Sequence, residues 1–156
     1  MSAPIYDCNS EGAVALAAAT AKTVIGVKAH ANSGLQLVDF WIGFDGVTAS
    51  AVPVLVEVMY STWGANSPGT NSTSTTARQR CGRVLTAGFT AGKTWTTEPT
   101  TLTLIKEFLL TPNGGAVLYT WPLGTEPDSA LAEGFVIRCT APAIVNVRGS
   151  MGVTRI

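Results

Sequence analysis

His30 is the only histidine in the 156 residues, so any Ser-His-Asp or Cys-His mechanism would have to run through it. It precedes the turn-forming Asn32-Ser33-Gly34, which predicts a surface position at a strand end. The cysteines, Cys8, Cys81 and Cys139, are odd in number, widely spaced and without a CxxC pair or a histidine cluster. They imply neither a zinc site nor a disulfide framework. Cys139 shares a strand face with Phe135 and Ile137 and reads as a small buried hydrophobe. Cys81 lies between Arg80 and Gly82, near Arg83; neighbouring cations can lower a thiol pKa, but the expected role is a simple thiol.

The carboxylates Glu98, Glu107, Glu126, Asp128 and Glu133 are scattered, and no spacing among them implies a paired acid and base. Gly88-Phe89-Thr90-Ala91-Gly92-Lys93-Thr94 superficially resembles a phosphate loop, but three residues separate its glycines where the motif needs four. No catalytic residue, metal-ligand set or cofactor is therefore assigned. Four tryptophans remain. Trp41 stands between Phe40 and Ile42 in an apolar run, while Trp63 and Trp95 fall in loop positions, where an indole can anchor a protein interface or stack on a sugar ring.

The elements that must position these groups are short β-rich runs separated by Gly, Pro, Asn and Ser clusters. About eight strands are predicted, near residues 22–30, 35–45, 52–61, 79–89, 100–111, 116–121, 133–141 and 144–153. In the third run, Val52, Val54, Val56, Val58 and Tyr60 share one face, and Pro53, Leu55, Glu57, Met59 and Ser61 share the other. The first face is core. Leu55 and Met59 on the second need cover from a loop or a neighbouring subunit. Asn113-Gly114-Gly115 after Pro112 predicts a tight turn joining the fifth and sixth runs as a hairpin.

The expected fold is all-β: one β-sandwich spanning residues 22–156, of jelly-roll type, with an up-and-down barrel as the alternative. Residues 1–21 are expected to form an N-terminal arm outside it, and residues 62–76 a long unpatterned loop. Within the arm, Ala13, Val14, Leu16 and Ala17 suit a short amphipathic turn that orders only against a surface. The run from Ala13 to Ala21 is apolar, but Asp7 and Glu11 precede it and no Lys or Arg does, the wrong flank for a signal peptide.

Composition points to partners. Charged residues make up 13%, about half the roughly 25% of an ordinary soluble domain, and mean hydropathy is +0.29. No apolar stretch reaches the roughly 18 residues of a membrane-spanning helix. Lys+Arg and Asp+Glu are 10 each, with no basic cluster for nucleic acid. Apolar surface on such a chain is expected to pack on other proteins, with Val14, Leu16, Leu55, Met59, Trp63 and Trp95 as candidate interface residues.

Three stretches carry a resemblance: Ser61 to Asn71 (STWGANSPGTN), Lys106 to Gly115 (KEFLLTPNGG) and Thr140 to Arg148 (TAPAIVNVR). They look like a family of small virion structural proteins of tailed bacteriophages, over most of residues 22–154. The better-understood comparable proteins are capsid decoration, or cement, proteins. The resemblance implies a non-enzymatic homotrimer that binds the major capsid protein on the outer surface of the virion, after synthesis in the cytoplasm of the bacterial host. The alternatives are a minor tail or fibre protein, or a carbohydrate- or receptor-binding module using the loop tryptophans.

Overall fold

The computed structural model describes residues 3–47 and 52–156. Within them lie twelve strands and no helix: β1 (Ile5–Asn9), β2 (Val14–Leu16), β3 (Ala21–Lys28), β4 (Leu35–Phe44), β5 (Val54–Ser61), β6 (Thr73–Thr75), β7 (Ala77–Cys81), β8 (Thr90–Lys93), β9 (Leu102–Leu110), β10 (Ala116–Thr120), β11 (Gly134–Thr140) and β12 (Val145–Arg155). Two six-stranded antiparallel sheets result. The first runs β10-β4-β12-β1-β7, with β2 also on β12; the second runs β6-β8-β3-β11-β5-β9.

Alternation of residue type sets which face each strand buries. On β12, Val145, Val147, Gly149, Met151 and Val153 are buried, while Asn146 and Arg148 are exposed, as the two-residue side-chain period of a strand demands. On β5, Val54, Val56 and Val58 are fully buried. The inner faces meet in one core that includes Phe40, Ile42, Ile25, Phe135 and Ile137. Cys139 is buried there as expected. The β-sandwich expectation holds.

The alternative barrel is not what forms: the described residues make two separate sheets, and among their strands no two consecutive ones pair with each other. For the same reason the hairpin expected at Asn113 is absent. The turn forms, with the Gly115 amide donating to the Thr111 carbonyl at 3.1 Å, but β9 lies in the second sheet and β10 in the first. Turn chemistry fixes the reversal of the chain and not the partner of the next strand.

The N-terminal arm also needs correction. Residues 5–16 are part of the sandwich: β1 pairs with β12 over Ile5↔Thr154 to Asn9↔Ser150, and β2 continues along the same edge with Val14↔Val147 and Leu16↔Val145. The physical reason is the length of β12. Its 11 residues occupy β4 on one edge, and the other edge would otherwise present unpaired backbone groups beside the core. Ser10 joins the two pieces, its amide donating to the Gly149 carbonyl at 2.9 Å and its Oγ accepting from the Gly149 amide at 3.2 Å.

Residues between β5 and β9 add strands to one side of the sandwich. β7 extends the first sheet beyond β1, and β8 and β6 extend the second beyond β3. The loop expected at 62–76 thus contains β6. The opposite side of the sandwich is left with β9 and β10 as its edges.

Candidate interaction surface

Five of the six expected interface residues lie inside the protomer. Val14 and Leu16 are 2% and 1% exposed, because β2 turns both toward the sandwich core. Met59, Trp63 and Trp95 form a second buried cluster with Val136 on the outer face of the second sheet. The two indoles stack with centroids 6.0 Å apart. Their floor is Gly26, whose added Cβ would stand 3.0 Å from both Trp63 and Trp95, and Gly92, its cross-strand partner. Trp95 Nε1 donates to the Asn66 carbonyl at 2.7 Å, and Asn66 Nδ2 donates to the Glu98 carbonyl at 2.8 Å. The chain's own loop therefore supplies the cover that Met59 requires. Trp63 adopts a left-handed φ of 52°, a costly conformation for a bulky residue. Leu55 alone of the six stays partly accessible, paired with Leu109 of β9.

The groups screened for chemistry are dispersed. His30 is exposed, and its Nδ1 accepts from the Asn32 amide at 3.3 Å. It borders an open groove of about 640 Å³ with Lys28, Ser67, Phe89 and Thr90, and no carboxylate or cysteine lines that groove. Glu98 Oε2 accepts from the Thr23 amide and hydroxyl at 2.8 and 2.5 Å, which ties the start of β3 to the loop after β8. Glu126 accepts from the Gly124 amide at 2.7 Å. Asp128 bridges to Gln36 through the backbone, while Glu107 faces Glu57, which Arg138 pairs at 2.9 Å. Among the described residues no three His, Cys, Asp or Glu side chains converge.

Three accessible leucines lie on the strands of the β9/β10 side. Leu104 and Leu109 on β9 are 46% and 67% exposed, and Leu118 on β10 is 72% exposed. The two strands close the sandwich through Phe108 packed on Tyr119, with centroids 5.8 Å apart, and Lys106 Nζ lies 4.8 Å from the Tyr119 ring centroid. Among the described residues β9 pairs only with β5, so one backbone edge of its 9 residues has no strand partner there. The opposite side differs. Its edge strands are β6, three residues of Thr-Ser-Thr, and β7, which carries Arg78 and Arg80. Short, polar and charged edges resist pairing with other chains; a long apolar edge invites it.

The sequence contains a signal for β9 that residue-type reasoning missed. Simple alternation puts Leu102, Leu104, Phe108 and Leu110 on one face and Ile105 and Leu109 on the other, so LTLIKEFLL is apolar on both faces; the register shift opposite Val58 and Met59 then brings Leu104 to the face of Leu109. Comparison with protein-family models, curated proteins and solved structures finds no match to this chain.

Proposed function

We propose that this chain is a structural subunit of a tailed-bacteriophage virion, and specifically a capsid decoration protein that clamps the assembled head by contacts with copies of itself and with the major capsid protein. The observation that carries the reading is the long apolar edge strand β9, flanked by accessible Leu104, Leu109 and Leu118, in a chain with 13% charged residues. Such a surface stabilises an assembly by burying apolar area, at roughly 25 cal/mol per Å². Many weak contacts add up when each copy touches several neighbours.

Strand order supports the same reading at the level of fold. With the β6–β8 insertion set aside, one sheet reads β1-β12-β4-β10 and the other β3-β11-β5-β9. We read this order as a jelly roll. The resemblance in residues 61–71, 106–115 and 140–148 supplies the phage assignment and the trimer.

The test is copy number and occupancy. Mass spectrometry of purified virions should find the protein in hundreds of copies per particle. A Leu104→Lys/Leu109→Lys variant should sediment as a smaller species than the parent and rebind stripped heads at less than a tenth of the parental occupancy. A handful of copies per particle would move the protein to the tail or a fibre, and unchanged sedimentation and occupancy would remove β9 from the interface.

A further inference from the structure

Trp63 and Trp95 are closed off inside the protomer, and Trp121 is 9% exposed; Trp41 remains, at 37%. Trp41 projects from the outer face of the first sheet, registered against Leu118 of β10 and Ser150 of β12. Beside it on β4 is Gly43, flanked in register by Ala116 of β10 and Arg148 of β12. The benzo ring of Trp41 leans over Gly43: an added Cβ would stand 2.8 Å from Cζ2 and 3.2 Å from Cη2. These small residues leave a concavity of about 220 Å³, walled by Trp41, closed at one end by Asp45 and the Gly114-Gly115 turn, and bordered by Arg148.

Its polar groups are unlike those of a simple apolar contact. The Arg148 guanidinium makes no hydrogen bond or ion pair with any described residue, while the Arg148 backbone belongs to the β12/β4 ladder. Asp45 is fixed by the Asn146 amide and side chain, at 3.2 and 3.3 Å, and as a carboxylate retains acceptor capacity. One cation and one anion cancel, so the site favours a neutral ligand carrying both donors and acceptors. A phosphate would meet Asp45, and an aliphatic side chain would strip water from Arg148 and Asp45 without replacing their hydrogen bonds.

We propose that this concavity binds a neutral saccharide, one pyranose ring against the Trp41 indole, its hydroxyls accepting from Arg148 and donating to Asp45. The C–H face of a pyranose is apolar and packs on an aromatic ring, while its hydroxyls need the paired donor and acceptor found here. The site shares no residue with β9 and is independent of the virion assignment.

A printed array of bacterial and host glycans, probed with the full chain, identifies the sugar, and its soluble oligosaccharide is then titrated with tryptophan fluorescence as the readout. Trp41→Ala and Ala116→Leu should each weaken binding at least tenfold, the first by removing the wall and the second by filling the floor. Arg148→Ala should weaken it several-fold, and Leu123→Ala, at an exposed site outside the concavity, should leave it unchanged. Circular dichroism confirms that each variant is folded. An array on which no neutral glycan binds, or binding that survives in Trp41→Ala, overturns the proposal. So does a Trp41→Ala protein that loses occupancy on heads while the parent binds no glycan, which would assign Trp41 to a protein contact.

Discussion

Arg80 on β7 holds Asp39 on β4 with Nη1 2.6 Å from Oδ2, although β1 and β12 lie between the two strands. The reach is possible because Gly152 on β12 has no side chain: an added Cβ would fall 2.3 Å from Asp39 Oδ1 and 2.7 Å from Arg80 Nη2. The same guanidinium pairs with Asp7 on β1, so one side chain ties together the outer surface of four strands. Its hydrogen bonds to Asp39 and then Asp7 hold the guanidinium charged well beyond the ordinary arginine range.

Gly152→Ala and Arg80→Ala should therefore disable one clamp. Each is expected to lower stability by about 1 kcal/mol, since the guanidinium is partly solvated, with the loss smaller in high salt. The double variant should lose about as much as either single one, because both remove the same interaction. Urea denaturation of the four proteins measures this, and strict additivity would show that Gly152 serves something other than the clamp.

Gly26→Ala should destabilise the sandwich by about 1–3 kcal/mol, because its methyl would press on two stacked indoles and Val136 at once. Trp95→Ala should cost more, about 3–5 kcal/mol, by emptying a buried site. Thermal melts rank the two. A Gly26→Ala protein as stable as the parent would mean that the Trp63–Trp95 stack shifts freely.

Burial pushes the Cys8 thiol up to about 12, with the Asp7 charge adding to the effect, and burial together with Glu57 raises Cys139. Both thiols stay neutral in the fold, whereas in the unfolded chain they ionise from about pH 9. The stability tied to them is thus whole below that pH. It falls as pH rises toward 12, by up to about 1.4 kcal/mol per pH unit for each thiol. Denaturation midpoints at pH 8 and pH 10 should separate more in the parent than in Cys8→Ala/Cys139→Ala. In the native protein at pH 8, iodoacetamide should modify half-exposed Cys81 first. Equal labelling of the three cysteines would contradict the burial.

A chain beginning at Lys22 should fail to fold cooperatively. It lacks β1 and β2, and with them the buried Tyr6, Cys8, Val14 and Leu16 and the partner of one whole edge of β12. Near-ultraviolet circular dichroism and a urea titration check this. A sharp transition in the shortened chain would restore the arm as a separate element.

Residue order alone makes legible the alternation of Val54, Val56 and Val58, that of Val145, Val147, Met151 and Val153, and the burial of Cys139 beside Phe135 and Ile137. A two-residue period is local, so it shows in any window of a strand, and each of the eight expected runs overlaps a strand of the sandwich. It also showed that Met59 needs cover, and that charge is scarce. Which strands and side chains meet is set by long-range packing. Whether Leu16 meets solvent or core depends on the free edge of β12, more than a hundred residues away in sequence; whether Trp63 and Trp95 face outward depends on two glycines and a loop that bring them together. The candidate surfaces follow the same logic. Leu109 is accessible because β9 is an edge, and Trp41 borders a concavity because Gly43, Ala116 and Arg148 come from three neighbouring strands, a proximity set by sheet register and by no spacing along the chain.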